Sequence, residues 1–507
     1  MNDISIYDEV SFPSYPHALT HPQRLATIAK FRGLDSPPID HCRVLELGCG
    51  SGGNLIPLAD TLANSEFVGV DLSAQQIDIA KQHIAASGLT NIQFITANIL
   101  DLNNANGPFD YVLCHGVYSW TTDEGRAKVL GLCRELLAPA GVAYINYNTF
   151  PGWHIQGMLR DMLRFHCERF TDPQRRVREA RGMIQFLITE LQSHSASAST
   201  MLRKELTELQ RYSDSYIFHA YLNVVNRPFY LHEMIERAAE YELQYLGDAE
   251  PQAMWPEAMS AQTADRIRDL AGRSEPMNLP AVNAGANEQY YDFVRFSMSR
   301  RSLFCRSSIS LRSLPVAEVL EGLHVSGHVQ IAPASVEPSL GTDTIITSKG
   351  HTFAIRDPKL SLLFRLLHEA WPESRSWQWL REELENRIPT ASSSGSSSLD
   401  LWLEDIFRFF IADIVDLAVR ANPSVRSLSA RPRTTAFARR QAATQNFVTN
   451  LRHTAVSLND FDRLVLQQLD GTRTELEIAA SIHAIPVEPT AIHQSLLRLA
   501  AQALLIA

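Results

Sequence analysis

The sequence contains few cysteines and no pattern that would link them. None of the six forms a C-x-x-C pair, which argues against a zinc ribbon and a disulfide framework, so we predict no metal ligands. A reducing compartment such as the cytoplasm fits this pattern best. The six residues are Cys42, Cys49, Cys114, Cys133, Cys167 and Cys305.

Long apolar runs and an excess of positive charge are also missing. No apolar run reaches the roughly 18 residues of a membrane span, and the N-terminus lacks the pattern of a secretory signal, so we expect neither. The 46 Lys and Arg residues are outnumbered by 56 Asp and Glu residues, which gives a net charge of -10. This balance argues against nucleic acid as the main partner. We interpret the basic run at 175–178 as a solvated helix face.

The first third of the chain alternates short apolar runs with amphipathic stretches, a pattern typical of a parallel α/β sheet. Five strand–helix units in succession predict a doubly wound, Rossmann-like sheet, with helices over 52–64 and 74–86 after the first two strands. The predicted strands cover residues 43–47, 66–71, 92–96, 109–114 and 141–147.

The remainder of the chain predicts an insertion and two further domains. Residues 155–228 are almost wholly helix-forming, and we interpret them as a helical insertion in an N-terminal domain of residues 1–312. A last sheet strand is expected within 303–311. Residues 313–426 and 427–507 have mixed α+β, winged-helix-like patterns. Because the insertion has more amphipathic faces than one domain needs, we predict a homodimer.

The loop after the first strand contains Gly48, Gly50 and Gly53, a G-x-G-x-x-G spacing that on its own also fits a dinucleotide. A dinucleotide places its pyrophosphate at the helix N-terminus, which attracts an anion. Glu46 would repel that anion, but it would attract the ammonium and sulfonium groups of S-adenosylmethionine (SAM). Gly52 completes G-x-G-x-G, so we predict a SAM-dependent methyltransferase. The predicted cofactor contacts of this loop are Glu46, Gly48, Cys49, Gly50 and Asn54.

The second strand ends at Asp71, a position from which a carboxylate can accept hydrogen bonds from both ribose hydroxyls. Its alternative role is that of a helix N-cap, for which Ser73 is also available. Leu72 is predicted to pack on the adenosine. The sequence therefore predicts that this strand end holds the nucleoside part of SAM.

The third and fourth strands end in further cofactor candidates. Asn98 is placed to hydrogen-bond the adenine amine, with Ile99 packing on the ring, and Asp101 is the alternative hydrogen-bonding residue. His115 has two interpretations, a general base with a pKa near 6.5 or a cofactor contact, and we favour the contact.

Polar, aromatic and turn residues are concentrated at 146–154, directly after the fifth strand. Such a cluster at the edge where ligands bind is typical of a functional loop. We predict that Tyr147, Asn148 and Trp153 shape the acceptor pocket. Tyr118 and Trp120, after the fourth strand, either line the methyl-transfer channel or are core aromatics.

Together these motifs resemble a bacterial family of SAM-dependent methyltransferases that carries a methyltransferase regulatory domain, and in particular the rickettsial protein-lysine methyltransferases that act on an outer-membrane protein. The resemblance implies a regulatory module at about 215–297. It also draws attention to Tyr7 and Tyr15, which either fold over the cofactor as a lid or belong to a packed N-terminal arm. The residues that carry the resemblance are 14–22, 45–50, 115–120, 147–153, 246–249, 288–293 and 450–453.

The resemblance implies a protein acceptor with a lysine side chain, which must lose its proton before in-line attack on the SAM methyl group. The sequence leaves two alternatives. One is a methyltransferase for a small metabolite or natural product, which a sealed pocket would favour. The other is a regulatory or scaffold protein that binds SAM and uses the winged-helix-like units for interactions.

Overall fold

The structure is a computed structural model that describes residue 10 and residues 12–103, 107–255, 259–273, 285–332, 343–387, 398–482 and 488–506. Tyr7, one of the two predicted lid residues, lies outside these ranges. Among the described residues, no helix is both long enough and apolar enough to cross a membrane.

The central sheet has seven strands in the order β3-β2-β1-β4-β5-β7-β6. The first five strands are parallel, and β7 runs antiparallel between β5 and β6. This confirms the predicted Rossmann-like sheet, and the first four strands match the prediction residue for residue. The strands are β1 (Arg43–Leu47), β2 (Glu66–Asp71), β3 (Ile92–Thr96), β4 (Phe109–Cys114), β5 (Leu137–Asn148), β6 (Leu243–Asp248) and β7 (Ser299–Arg306).

Helices α1 (Pro22–Phe31), α2 (Leu55–Thr61), α3 (Ala74–Ser87) and α4 (Asp123–Leu136) belong to the same part of the chain. Helix α2 is shorter than the predicted helix over 52–64. The chain turns through left-handed glycine conformations up to Gly52, so helical geometry begins only at Leu55. Helix α3 begins where the Ser73 hydroxyl accepts a hydrogen bond from the Gln76 amide.

The predicted helical insertion forms a core of its own, which includes Leu163, Ile184, Leu206 and Phe218. Three further helices flank β6 and β7 in the sequence. The elements are α5 (Trp153–Cys167), α6 (Pro173–Glu190), α7 (Ser197–Leu209), a turn at Asp214–Tyr216 that continues as a π-helix (Ile217–Leu222), α8 (Leu231–Ala239), α9 (Ala261–Arg273) and α10 (Ala286–Arg295).

The segment after β7 packs against the sheet region, and the two parts form one continuous hydrophobic core. The Phe31 ring of α1 lies 5.3 Å from Phe407 and 6.0 Å from Phe410. The segment has two three-stranded sheets, β11-β10-β9 and β12-β8-β13. Its elements are α11 (Val316–Leu320), β8 (His324–Ser326), β9 (Val329–Ile331), β10 (Asp343–Thr347), β11 (Thr352–Ile355), α12 (Pro358–Ala370), β12 (Arg375–Ser376), α13 (Trp377–Arg387), α14 (Ser398–Ile411) and β13 (Asp416–Ala418).

The C-terminal segment forms a separate small core with a β-hairpin. Its first helix, α15, lies beside α2 and α3: the Phe437 amide donates to Asp60 Oδ2 at 2.7 Å, and Arg440 Nε donates to His83 Nδ1 at 2.8 Å. The hairpin turn, residues 450–454, is called the wing turn below. The elements are α15 (Ala436–Thr444), β14 (Phe447–Thr449), β15 (Ala455–Ser457), α16 (Asp460–Gln467), α17 (Glu475–Ser481) and α18 (Pro489–Ala501).

Candidate cofactor site and acceptor edge

The glycine loop between β1 and α2 crosses the carboxyl ends of β1 and β2. Gly48, Gly50 and Gly52 have φ values of +79°, +53° and +79°, which disfavour residues with a Cβ. Gly53 is required for a different reason, because a Cβ there would lie 2.3 Å from the Ser14 carbonyl oxygen. The loop therefore accommodates both a tight turn and an N-terminal segment laid across it.

Glu46, next to the end of β1, is 3% exposed. Its Oε1 accepts a hydrogen bond from Asn54 Nδ2 at 2.8 Å, while Oε2 is buried without a hydrogen-bond partner among the described residues. Burial raises the pKa of this carboxyl to about 8, and the bond from Asn54 opposes that shift only in part. A buried carboxyl oxygen without a partner fits a cationic ligand.

Asp71 is oriented by the backbone at the end of β2. Its Oδ2 accepts from the Gly50 amide at 2.8 Å and its Oδ1 accepts from the Ser73 amide at 2.9 Å. These two bonds orient the carboxylate at the strand end, where ribose hydroxyls are predicted to bind. Ser73 acts as the N-cap, and Leu72, half-buried, lies between the two.

Asn98 and Ile99 follow β3 at the same edge of the sheet. The exposed Asn98 side chain accepts from the Leu100 amide at 3.0 Å and so caps a short helical turn, Ile99–Asp101. Ile99 is half-buried against the core, whereas Asp101 is exposed. The cap orients the Asn98 amide at the position predicted for adenine.

His115 lies one residue after β4 and is held by two rings. Its Nδ1 is 2.9 Å from the Tyr144 hydroxyl, and its ring stacks on His17 at 3.8 Å. Burial, followed by the charges of His17 and Arg301, lowers the pKa of His115 well below its usual value. An imidazole with such a pKa is a weak base at neutral pH, which agrees with the favoured contact role.

The remaining cofactor candidates are buried or lie on the N-terminal segment. Burial raises the pKa of the Cys49 thiol well above its usual value, so this side chain is a packing group. Asn54 is buried beside Glu46. Tyr15 is partly exposed, and its ring lies 4.9 Å from Phe447 of the C-terminal segment.

Residues 146–154 are called the acceptor edge below. They include Tyr147, which packs in the core together with Tyr118. The Tyr147 hydroxyl lies 2.9 Å from Ser302 Oγ, and Arg237 Nε donates to the Tyr118 hydroxyl at 3.4 Å. Burial raises the pKa of Tyr118 to about 12 and that of Tyr147 further. Both rings have packing roles in this structure, and their contact with an acceptor stays a prediction.

Asn148 is the last residue of β5, and Trp153 is the first residue of α5. The Asn148 amide nitrogen Nδ2 is buried and has no hydrogen-bond partner among the described residues. The Trp153 ring lies 5.7 Å from that of Trp120, at the start of α5. Phe150 stacks on the exposed His154 at 4.1 Å. The Asn148 amide therefore has a donor that no described residue uses.

Four residues around the loop were given no role by sequence reasoning. Ser14 Oγ accepts from the Gly53 amide at 2.8 Å, and the His17 amide donates to Asn54 Oδ1 at 3.0 Å. Thr20 and His453 also contact Asn54 Oδ1. All four lie in the stretches 14–22 and 450–453 that carry the family resemblance, and that was the only signal pointing to them.

Three family profiles match the chain. One described as a methyltransferase domain covers residues 44–141, and one described as a predicted methyltransferase regulatory domain covers 213–306. The third, described as the C-terminal winged helix domain of PKMT, covers 430–487.

Two similar proteins come from Rickettsia prowazekii. Uncharacterized protein RP789 is 29% identical over 489 residues, which are 95% of this chain and 86% of the relative. Uncharacterized protein RP028 is 39% identical over 245 residues, which are 48% of this chain and 98% of the relative. The structure of PKMT2 from Rickettsia typhi in complex with AdoHcy, at 25% identity, covers 98% of this chain and 100% of that chain with a TM-score of 0.84.

The fold, the glycine loop and these matches define a class I SAM-dependent methyltransferase, with SAM as its cofactor. More particularly, the chain belongs to the PKMT-type family of bacterial methyltransferases that carry a regulatory domain and a C-terminal winged-helix domain.

Proposed function

We propose that this methyltransferase is a protein N-methyltransferase that acts on lysine side chains. The resemblance to rickettsial protein-lysine methyltransferases supports this, as does a fold shared with PKMT2 over 98% of the chain. The observation that carries the proposal is a group of exposed apolar side chains next to the acceptor edge.

That surface adjoins Phe150 through a chain of rings. Tyr230 lies 5.1 Å from Phe150 and 6.1 Å from Phe293. Phe293, Phe296 and Met298 are 45%, 48% and 48% exposed. Exposed rings at the rim of a site are typical of contacts with another macromolecule, whereas a small metabolite is usually enclosed. The edge therefore fits a protein acceptor better than a metabolite.

In the proposed cofactor site, Glu46 attracts the cationic end of SAM, Asp71 binds the ribose and Asn98 the adenine. Bound SAM supplies a methyl group that is already activated on a sulfonium. The protein orients the acceptor and excludes water. A lysine ammonium, with a usual pKa of about 10.4, loses its proton more readily when it is desolvated beside a sulfonium cation.

The acceptor class is tested with the full chain, methyl-labelled SAM and a bacterial protein extract. We expect labelled protein whose hydrolysate contains ε-N-methyllysine. Label found only in small molecules or nucleic acid would contradict the proposal, and no transfer at all would support a SAM-binding scaffold. The Glu46→Gln variant provides the cofactor-binding control.

A second variant separates acceptor binding from cofactor binding. Phe293→Ser should lower protein labelling about tenfold and leave AdoHcy affinity unchanged, because truncation of a central interface ring commonly costs more than 1 kcal/mol. Leu476→Ser, which removes a 68% exposed side chain from α17, is the matched control and should change neither quantity. Equal loss in both variants would argue against an acceptor surface at Phe293.

We also propose a homodimer formed through the helical insertion, and domains with boundaries near 312 and 426. Phe165 on α5 is 87% exposed and Phe186 on α6 is 55% exposed. Exposure of these rings to water is unfavourable, and contact with a second copy of the chain would bury them. Light scattering should give twice the monomer mass of 56.8 kDa, and Phe165→Glu should shift it to the monomer.

The buried, unpaired cysteines support the cytoplasm as the compartment.

A further inference from the structure

The wing turn inserts a histidine into the cofactor site. His453 Nε2 lies 2.8 Å from Asn54 Oδ1, although the two residues are 399 positions apart in the chain. His453 is 3% exposed and Asn54 is 2% exposed. A side chain of the C-terminal winged-helix domain therefore makes a buried hydrogen bond to the residue that contacts Glu46.

A backbone amide fixes the direction of every bond in this group. The His17 N–H can only donate, so the Asn54 atom 3.0 Å from it must be the carbonyl oxygen. The Asn54 amide nitrogen then faces Glu46, and Glu46 Oε1 must accept. Because the carbonyl oxygen also faces His453, Nε2 of that ring must carry the proton. Thr20 Oγ1 lies 3.0 Å from the same oxygen.

Burial, followed by the charges of His21 and His17, lowers the pKa of His453 well below its usual value. The ring is therefore neutral at physiological pH, and the proton on Nε2 is its only N–H. This leaves a single-donor imidazole whose hydrogen bond to Asn54 does not change over the neutral range.

We propose that His453 is a positioning residue for SAM binding, which orients Glu46 through the Asn54 amide. With Oε1 of Glu46 held by Asn54, Oε2 is the oxygen that remains for a cationic ligand. The proposal rests on the cofactor role of Glu46 given above. In this proposal the C-terminal winged-helix domain contributes a residue to the cofactor site.

The surroundings keep the wing turn in place. Helix α15 is hydrogen-bonded to α2 and α3 through Asp60 and His83, and Phe447 at the start of the hairpin packs on Tyr15. His453 itself has a φ of +58°, a left-handed conformation that aims the side chain toward the loop. The turn is closed by Asn450 Oδ1, which accepts from the Arg452 and Thr454 amides at 3.0 Å and, in addition, from the Thr454 hydroxyl at 2.8 Å, so two backbone bonds hold the turn without that hydroxyl.

The test compares two substitutions at His453 by titration calorimetry of the full chain with AdoHcy and with SAM. His453→Asn tolerates the left-handed backbone, but its amide ends short of Asn54. His453→Gln has a donor nitrogen at the same number of bonds from the backbone as Nε2. We expect the dissociation constants of His453→Asn to rise about tenfold and those of His453→Gln to stay within about threefold of the wild type.

Two controls separate positioning from damage to the fold. Thr454→Ala removes a hydrogen bond from the same turn without touching Asn54, and it should bind AdoHcy as the wild type does. In a Glu46→Gln background, His453→Asn should cost less than half its original effect, because two coupled groups are non-additive. Unchanged affinity in His453→Asn, an equal loss in Thr454→Ala, or full additivity with Glu46→Gln would each overturn the proposal.

If Glu46→Gln alone leaves AdoHcy binding unchanged, the proposed cofactor role of Glu46 is wrong, whatever the His453 variants do. Weak binding by Glu46→Gln together with normal binding by His453→Asn contradicts only the role of His453. Neither result depends on the acceptor, so lysine specificity is tested separately.

Discussion

Buried carboxylates occur in two regions of the sheet. In one region an arginine of the chain pairs with them, and in the other region a carboxylate has no such cation beside it. On β7, Arg300 is 1% exposed and lies among three acids. Its Nε is 2.9 Å from Asp292, and its Nη1 is 2.9 Å from Glu288 and 3.6 Å from Asp248. At the end of β1, Glu46 is equally buried, yet one of its oxygens has no partner among the described residues.

The difference lies in the source of the positive charge. The Arg300 cluster contains its own cation and further hydrogen bonds, including one from Tyr245 to Glu288 at 2.5 Å. Burial still raises the pKa of Glu288 to about 7, and Arg300 opposes that shift. At Glu46 the pKa rises to about 8 with only an amide in opposition. The chain itself supplies the cation of the Arg300 cluster, whereas Glu46 fits a cation that belongs to the bound cofactor.

The largest expected effect is the loss of stability when the Arg300 cluster is disrupted. Arg300→Met should lower the free energy of unfolding by about 4 kcal/mol, because it leaves three buried acids without their cation. Urea unfolding at pH 7.5 measures this. Arg301→Met is the matched control: its partly exposed pair with Glu250, at 2.7 Å, should contribute less than about 1 kcal/mol. Similar losses in the two variants would contradict a special role for the Arg300 cluster.

The next largest effect is expected for a substitution of Glu46, which should weaken SAM binding but stabilise the ligand-free protein. Glu46→Gln should weaken SAM binding about 100-fold, since a buried charge contact is lost. The same change should stabilise the ligand-free protein at pH 8.5 by about 2 kcal/mol, because an uncompensated buried carboxylate is removed.

The pH dependence follows from the raised pKa of Glu46. Between the usual carboxyl pKa and about 8, the folded wild type holds a proton on Glu46 that the unfolded chain has lost. The contribution of this group to stability therefore falls as pH rises through that window. The advantage of Glu46→Gln should grow from pH 5 to pH 8.5 in thermal melts. Glu66→Gln is the matched control, because this glutamate lies in an exposed pair with Arg43.

A smaller effect is expected where the N-terminal segment covers the glycine loop. The new Cβ of Gly53→Ala would clash with the Ser14 carbonyl, so the segment must move and SAM binding should weaken about fivefold. Gly157→Ala in α5, where nothing lies within 4 Å of the new Cβ, should leave binding unchanged. Normal SAM affinity in Gly53→Ala would show that the segment does not contribute to the site.

Much of the sheet was predictable because parallel strands buried on both faces are continuous apolar runs between turn signals. That is why β1 to β4 match the expected residues. The insertion of β7 between β5 and β6 was not predictable in this way, since strand order depends on packing partners. The stretches 246–249 and 288–293 were recognised only by resemblance, and Arg300 shows what they have in common, because Asp248, Glu288 and Asp292 surround it.

The arrangement of the candidate cofactor residues was predictable where one short segment contains them. Glu46, the glycines and Asp71 lie at successive strand ends, so their order in the chain sets their positions. The bond from His453 to Asn54 joins distant segments, and no periodicity or spacing encodes it. Tyr118 and Tyr147 illustrate the converse, because strand-end positions do not reveal which face of the sheet a ring occupies.

Because the raised pKa keeps Glu46 protonated at pH 7 in the ligand-free protein, a cation that binds there must displace the proton, and proton release on SAM binding tests this role of Glu46 most directly. Calorimetry at pH 7 in two buffers of different ionisation enthalpy counts the protons exchanged. We predict release of about one proton per SAM by the wild type and close to none by Glu46→Gln. Absence of release from the wild type, or equal release from both proteins, would contradict the account.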